Sequence, residues 1–169
     1  MSDDTLSTLM ASVDPPLIVL TTTAEDERAG CVVGFHAQAS IEPEQYCVWM
    51  SKANHTYRVG LRATHFAVHF LTTEDLDLAE RFGTVSGEDT DKFAGVDFEL
   101  DEFGVPLLTA CPNRITLERI ALLDDGGDHV CLTARVTSAE NKGSFEPLRL
   151  SGADHLSPGH EPEERAIQP

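Results

Sequence analysis

The sequence predicts a mainly β protein with peripheral helices, in which the strands form a small barrel. At least six stretches have the β-branched and aromatic composition of strands, and most are joined by short connections typical of antiparallel neighbours. The chain of 169 residues, 41% of them hydrophobic, is long enough for one domain with a proper core. We expect an arm or short helix over residues 1–14, the main domain over 15–150, and a flexible tail over 151–169.

The first elements follow from apolar spacing. Residues 1–14 carry four apolar side chains at helical spacing, namely Leu6, Leu9, Met10 and Val13. A strand is predicted over Leu17–Thr23, and a charged turn leads to a returning strand over Cys31–Phe35, so the two form a hairpin. After Pro43 a further strand is expected over Tyr46–Met50.

The middle of the chain alternates helix and strand. Asn54 is a good N-cap for a helix over His55–Thr64. The alternation of Phe66, Val68 and Phe70 predicts a half-buried strand. A second helix is expected from the capping residues Thr72–Asp75 through Arg81, with Gly83 as its stop. Residues 84–109 have the composition of a loop-rich insert, which Phe93 and Phe98 would anchor.

The last predicted elements are two long strands. Asn113–Leu123 is expected to be a strand with a bulge, because its apolar phase slips between Leu117 and Ile120. The turn over Asp124–Asp128 leads to a partner strand over His129–Ser138.

Charge and motifs exclude several function classes. A formal net charge of −17 argues against nucleic acid or an anionic membrane as partner. No apolar run approaches the length of about 18 residues needed for a membrane helix, and the acidic N-terminal sequence is not a secretory signal, so we expect a cytoplasmic protein. The four cysteines form no C-x-x-C pair, and His65 and His69 lie in a strand-like run, so no metal site is expected. The sequence also lacks a G-x-G-x-x-G, a P-loop, a G-x-S-x-G and an H-E-x-x-H motif.

The stretch from Gly34 to Tyr57 is the best candidate for a ligand site. Small and polar residues follow Gly34, as the wall of a flat polar ligand would need, and Ser51–Thr56 places hydroxyls, an amide and an ammonium at the start of a predicted helix. Such donors at a helix start suit an anion. These residues by themselves favour a plain strand, turn and helix cap.

Several short segments together resemble one family. They are Ser40-Ile41-Glu42-Pro43, Lys52-Ala53-Asn54-His55-Thr56-Tyr57, Ala79-Glu80-Arg81-Phe82, Asp91-Lys92-Phe93 with Gly95, Gly104-Val105-Pro106-Leu107-Leu108, Gly127-Asp128-His129 and Pro147-Leu148. In this order they are similar to the flavin reductase family, across most of residues 15–150. The resemblance implies an FMN-binding split β-barrel, assembled as a homodimer.

The same resemblance implies the roles of particular residues. The isoalloxazine and ribityl chain would lie along one segment, consisting of Gly34, Phe35, His36, Ala37, Gln38, Ala39 and Ser40. The FMN phosphate would be held by the next one, consisting of Ser51, Lys52, Ala53, Asn54 and Thr56. His129 would stand near the reactive face of the flavin, where a nicotinamide could stack.

The chain departs from the family pattern in one segment. Gly34–Ser40 is shorter than the usual stretch, and His36 and Gln38 stand where small hydroxyl residues are common. These two side chains could instead hydrogen-bond the pyrimidine edge of the ring.

Two functions from different classes remain open at this point. The resemblance favours an NAD(P)H-dependent flavin reductase that uses FMN, or FAD, and passes reduced flavin to a partner monooxygenase. The alternative is a non-catalytic FMN-binding electron-transfer or flavin-carrier protein, which the short Gly34–Ser40 segment mildly favours. An enzyme that uses a deazaflavin or acts on another small organic substrate is a third option.

Overall fold

A computed structural model describes residues 3–84 and 91–153 of the chain. The described ranges contain three α-helices and one 3-10 helix, namely α1 (Asp3–Val13), α2 (His55–Gly60), α3 (Leu76–Thr84) and the 3-10 helix Leu150–Ala153. The strands of these ranges are β1 (Ile18–Ala24), β2 (Glu27–Val33), β3 (His36–Ile41), β4 (Glu44–Ser51), β5 (His65–Phe70), β6 (Phe98–Leu100), β7 (Pro106–Leu108), β8 (Arg114–Leu123) and β9 (His129–Glu140). The prediction of a mainly β protein with few helices is confirmed.

Seven of these strands form one antiparallel sheet in the order β2-β1-β5-β8-β9-β4-β3, and β6 and β7 form a separate hairpin. The edge strands β2 and β3 are consecutive in the chain and are linked by Gly34 and Phe35 alone. A flat seven-stranded sheet would hold its edges about 29 Å apart, whereas this link spans at most about 11 Å. The sheet therefore curls until its edges approach each other, and the backbone N–H of Trp49 in β4 donates to Phe35 O at 2.9 Å.

The core lies on both faces of the sheet. Ile18 and Leu20 of β1 belong to one buried cluster together with Val48 and Phe66. Leu17 and Val19 belong to a second cluster, which α3 and the segment after residue 91 cover with Phe82, Phe93 and Leu108. Because successive strand residues point to opposite faces, burial of both faces explains the unbroken apolar run at the start of the domain.

Several predicted details are confirmed. Residues of β1 and β2 pair from Ile18↔Val33 to Ala24↔Glu27, which is the expected hairpin. Asn54 is the N-cap of α2, since its side chain accepts a hydrogen bond from Thr56 N. The register of β8 and β9 shifts at two places, one of them between Arg119 and Ala121, as the slipped apolar phase predicts. The arm of residues 1–14 contains helix α1.

The segment Gly34–Ser40 is a strand over most of its length, although its composition predicts only a polar ligand wall. His36–Ile41 pairs with β4, with a bulge between Gln38 and Ser40. Small and polar residues are tolerated here because β3 is an edge strand, whose backbone bonds come from one partner and whose side chains are mostly exposed.

The prediction of a half-buried β5 is wrong. His69 is 0% exposed, and both of its ring nitrogens are satisfied, by Val19 O at 3.2 Å and by the N–H of Leu108 at 3.0 Å. A histidine with two hydrogen-bond partners inside the protein can take the place of an apolar residue in a core. The alternation of apolar and polar residues does not reveal such partners.

Helix boundaries also differ from expectation. Helix α2 ends at Gly60 rather than Thr64, and α3 continues past Gly83 to Thr84. Gly83 lies against β2, where an added Cβ would meet Val32 at 3.3 Å, so its small size serves packing rather than termination. The predicted insert contains the β6–β7 hairpin, and Phe93 is buried as an anchor. Its residues 85–90, like residues 154–169 of the predicted tail, lie outside the described ranges.

Candidate active site

A cavity of about 380 Å³ opens where β2 and β4 approach α3 and the 3-10 helix. Its apolar wall includes Leu17, Phe35 and Trp49, and its polar edge is formed by Ser51, Asn54 and His129. A concave apolar site with a few convergent polar groups is the usual form of a small-molecule site. The aromatic rings suit a flat ligand.

Five of the predicted site residues line this cavity, namely Gly34, Phe35, Ser51, Asn54 and His129. They come from two separate stretches and from the start of β9, and the antiparallel pairing of β4 with β9 brings Ser51 opposite His129. The structure thus joins the two candidate stretches to the distant Gly127-Asp128-His129 motif.

The remaining predicted residues of β3 lie away from the cavity. Ala37, Gln38 and Ala39 are exposed on the edge strand, and the Gln38 amide donates to Ser40 O at 3.4 Å. Their placement on a free sheet edge leaves them available to a ligand or partner only from outside the cavity.

The side chain of His36, unlike those of Ala37, Gln38 and Ala39, is held by hydrogen bonds within the chain. Its Nε2 donates to Pro16 O at 2.8 Å, so its Nδ1 accepts from the Tyr46 hydroxyl, 2.7 Å away. Burial lowers the pKa of His36 and raises the pKa of Tyr46 to about 12, so both groups are neutral near pH 7. Both ring nitrogens are therefore engaged within the chain.

Lys52 lies beside the cavity rather than in its lining. Its ammonium is 2.9 Å from Asp124 Oδ1, and its backbone N–H donates to Asp128 O at 2.9 Å. Both partners belong to the turn between β8 and β9. The N–H of Gly126 and the Lys52 ammonium together lower the pKa of Asp124, which keeps this carboxylate ionised.

His129 is held in place by a carboxylate and an aromatic ring. Its Nδ1 lies 2.7 Å from Asp128 Oδ1, and its ring centroid is 4.9 Å from that of Phe35. The hydrogen bond from His129 lowers the pKa of Asp128. Because the ionised Asp128 can only accept, Nδ1 carries a proton and Nε2 is the nitrogen that can contact a ligand.

The segment after β4 folds into a compact turn. Asn54 Oδ1 accepts from Thr56 N at 3.2 Å, and Ser51 Oγ accepts from Ala53 N at 3.3 Å. Ala53 and Thr56 are buried, so they support the turn from behind, whereas Ser51 and Asn54 face the cavity. The amide NH₂ of Asn54 is directed away from its capping oxygen and can donate to a ligand.

Ten of the fifteen residues that line the cavity were not among the predicted site residues, and Trp49 and Cys31 are two of these ten. Trp49 is the only tryptophan of the sequence, and it lies on the face of β4 opposite to the buried Val48 and Met50. The alternation of the strand would have placed it on the same side as Ser51. Cys31 also lines the cavity, although its side chain is buried; nothing in its local sequence indicates this.

No metal site is present among the residues that the structure describes, where no group of three or more histidine, cysteine or carboxylate side chains is placed to hold an ion. The four cysteines, all within the described ranges, are free thiols. Within the same ranges, no helix has the length and apolar character to cross a lipid bilayer.

A curled β-sheet with an aromatic-walled cavity and a short polar edge has the form of a site for a flat organic ligand. Residues 10–153 match the family model of the flavin reductase like domain. The chain therefore belongs to the flavin reductase-like family. The prediction of a flavin reductase, an oxidoreductase, is confirmed.

Individual relatives agree with this assignment. The FMN reductase (NADH) SmoA of Agrobacterium fabrum is 30% identical over 134 residues, covering 79% of this chain and 74% of SmoA. HsaB of Mycobacterium tuberculosis, the reductase subunit of a flavin-dependent monooxygenase, is 28% identical over 134 residues, covering 79% of this chain and 70% of HsaB. The NADH:FAD oxidoreductase SgcE6 of Streptomyces globisporus C-1027 has the same fold, with a TM-score of 0.77 and 22% identity over 90% of this chain and 92% of SgcE6.

Proposed function

We propose that the chain is an NAD(P)H:flavin oxidoreductase that binds FMN in the cavity lined by Phe35, Trp49 and His129. The observation that carries this assignment is the convergence of two aromatic walls and three polar groups on one cavity, in a chain of this family. In this view the curled seven-stranded sheet is a split barrel, and the cavity lies where its edges approach each other. The name of SmoA supports FMN and NADH, whereas the name of SgcE6 mentions FAD.

The residues present fit the ring system of a flavin. Its faces are apolar and aromatic, as are Phe35 and Trp49, and its edges carry hydrogen-bonding groups that Ser51, Asn54 and His129 can meet. The fit at the phosphate is more demanding, since FMN brings about two negative charges. Lys52 directly follows the cavity residue Ser51 at this end, and it is already paired with Asp124.

A bound flavin would supply the chemistry, by accepting a hydride from reduced nicotinamide. The residues of the chain would bind the flavin and the nicotinamide and orient them relative to each other. Phe35 and Trp49 would flank the ring and exclude water, while Asn54 and Ser51 would direct donors toward its polar end. His129, fixed by Asp128, presents Nε2 at the cavity, where it can orient the carboxamide of the nicotinamide.

We extend the proposal to partners and location. The name of HsaB supports a monooxygenase as the protein that receives reduced flavin. A homodimer is supported by α1, whose apolar side chains Leu6, Leu9, Met10 and Val13 are 46–64% exposed in the single chain. A cytoplasmic location would place the protein with its nicotinamide donor. Light scattering on a size-exclusion column tests the dimer, and a monomer at micromolar concentration would contradict it.

The decisive experiment is an absorption titration of the purified protein with FMN, followed by anaerobic NADH and then NADPH. We expect absorption bands of bound flavin that bleach within seconds when one of the two nucleotides is added. The nucleotide that causes the bleaching is the hydride donor. Bands that persist with both nucleotides and bleach only with dithionite would instead identify the flavin carrier. A protein that retains neither FMN nor FAD would contradict the cofactor assignment.

A further inference from the structure

One lysine is buried directly behind the cavity wall. Lys92 is 5% exposed, and its ammonium donates to Gly30 O and to Phe82 O, each at 3.0 Å. The next residue after each of these carbonyls, Cys31 and Gly83 respectively, lines the cavity. The ammonium therefore lies behind the cavity wall. It contacts the backbone at two points, one in β2 and one in α3, and at each point the next residue of the chain lines the cavity.

This charge has no partner of opposite sign in the part of the chain that the structure describes. No carboxylate oxygen of residues 4–84 or 91–153 lies within 4.0 Å of Lys92 Nζ. Its two hydrogen bonds go to neutral carbonyls, and burial lowers its pKa. An ammonium that is buried without a partner of opposite sign is costly, so it favours negative charge in the neighbouring cavity.

The immediate surroundings are close packed. An added Cβ on Gly30 would come within 3.0 Å of the Phe82 ring and 3.3 Å of the Phe93 ring. Cys31, the residue between Lys92 and the cavity, is buried, and burial raises the pKa of its thiol while the Lys92 ammonium opposes the rise. Water cannot reach this region readily, so the field of the ammonium is weakly screened toward the cavity.

A flavin gains negative charge when it is reduced. Two electrons and one proton convert the neutral oxidised ring into a reduced ring that is anionic near neutral pH. We propose that the positive charge of Lys92, which lies behind Cys31 and Gly83, stabilises the reduced anionic ring of bound flavin relative to the oxidised ring. This inference rests on the proposed binding of flavin in the cavity.

The test compares the affinity of the protein for oxidised and dithionite-reduced riboflavin, in wild type and in Lys92→Met. Riboflavin lacks the phosphate, so only the charge of the ring changes between its two forms. We expect Lys92→Met to lower the preference for the reduced form by about tenfold, equivalent to about 30 mV for a two-electron couple. Lys142→Met, which removes the same charge from an exposed site, should change the preference less than about twofold.

Two further measurements keep the outcome clear. Lys92→Gln retains donors for the two carbonyls without the charge, and Lys92→Arg retains the charge; the first should behave as Lys92→Met does and the second as wild type. The wild-type protein also gives an answer that requires no variant, since its bound riboflavin should have a higher midpoint potential than free riboflavin, despite the net charge of −17.

The outcomes separate the two levels of the hypothesis. If wild type binds neither FMN nor riboflavin, the proposed function itself fails. If wild type binds flavin but Lys92→Met or Lys92→Gln leaves the preference unchanged, or if the effect occurs with FMN and disappears with riboflavin, the role assigned to Lys92 is wrong. A bound potential at or below that of free riboflavin would overturn it as well.

Discussion

The ammonium of Lys52 and the carboxylate of Asp124 form an ion pair 2.9 Å long between the end of β4 and the turn that precedes β9. The pair lies at the edge of the candidate site, and Asp124 is half exposed there. Exposed ion pairs of this kind contribute little to stability, so a ligand phosphate can compete for the lysine at small cost. Asp124 thus opposes the anion that Lys52 would attract.

The Asp124→Asn variant should bind FMN about threefold more tightly, because Lys52 is released from its carboxylate while the oxygen of the new amide can still accept from Gly126 N. Riboflavin affinity should stay unchanged, since riboflavin has no phosphate. Fluorescence titration of both ligands measures the effect. Asp125→Asn is the matched control, because no ion pair joins Asp125 to Lys52 within the described ranges. Weaker FMN binding by Asp124→Asn would show that Lys52 does not serve the phosphate.

Trp49 gives a direct probe of the cavity, because it is the only tryptophan and it lies in the wall. We expect added FMN to quench most of the tryptophan emission, through contact and energy transfer to the flavin. Trp49→Phe should abolish the signal and retain binding as measured by flavin absorbance. Saturable FMN binding by absorbance, with no change in Trp49 emission, would place the flavin elsewhere.

His129 should act on the nicotinamide step more than on flavin binding. We expect His129→Ala to lower kcat/KM for the nicotinamide by about tenfold or more and to shift the FMN dissociation constant less than about threefold. Asp128→Asn, which keeps an acceptor for Nδ1 and removes the charge, should have a smaller effect. Stopped-flow reduction of pre-bound FMN makes the comparison. Equal losses in flavin affinity and in nicotinamide kinetics would assign His129 to the flavin.

His69 should make folding sensitive to acid. Burial lowers the pKa of His69 to about 4, against about 6.5 in an unfolded chain. Between these values the unfolded chain binds a proton that the folded chain does not, so the free energy of unfolding falls as the pH drops through this window, by about 3 kcal/mol in total. Protonation of Nε2 would also break its bond from the N–H of Leu108.

Urea unfolding between pH 4 and pH 7 measures this effect. Carboxylates titrate in the lower part of the window, so the informative quantity is the difference between wild type and His69→Gln. The variant should be less stable at pH 7 and should have a shallower pH dependence above pH 5. Parallel curves for the two proteins would show that His69 does not resist protonation.

The close approach at Gly30 predicts a stability cost for a single methyl group. Gly30→Ala should lower the free energy of unfolding by about 1–3 kcal/mol, because the new Cβ would press on the rings of Phe82 and Phe93. Gly127→Ala is the control, since an added Cβ there meets no atom of the described residues within 4 Å. That variant should stay within about 0.5 kcal/mol of wild type in urea unfolding. Similar costs at both positions would show that contact with the rings of Phe82 and Phe93 is not the cause.

The sequence by itself determined the local structure wherever the conformation depends on residues that are close together in the chain. The hairpin of β1 and β2, the capping of α2 by Asn54 and the irregular pairing of β8 depend on neighbours in the chain, so composition and periodicity predicted them. The family resemblance also rests on short segments in order. The same reasoning missed β3, because the side chains of this edge strand are mostly exposed and therefore show no apolar pattern, and its pairing with β4 is a tertiary contact.

The site itself was decided by the tertiary structure. The sequence pointed to His36, Gln38 and Lys52 as ligand contacts, but the fold turns His36 toward Tyr46, leaves Gln38 on an open edge and pairs Lys52 with Asp124. It also places Trp49 and Cys31 in the cavity and Lys92 behind it. Local patterns state which groups a chain carries. Which groups face each other depends on strand order and on the charges of distant residues, and these are set only when the sheet curls and its core is packed.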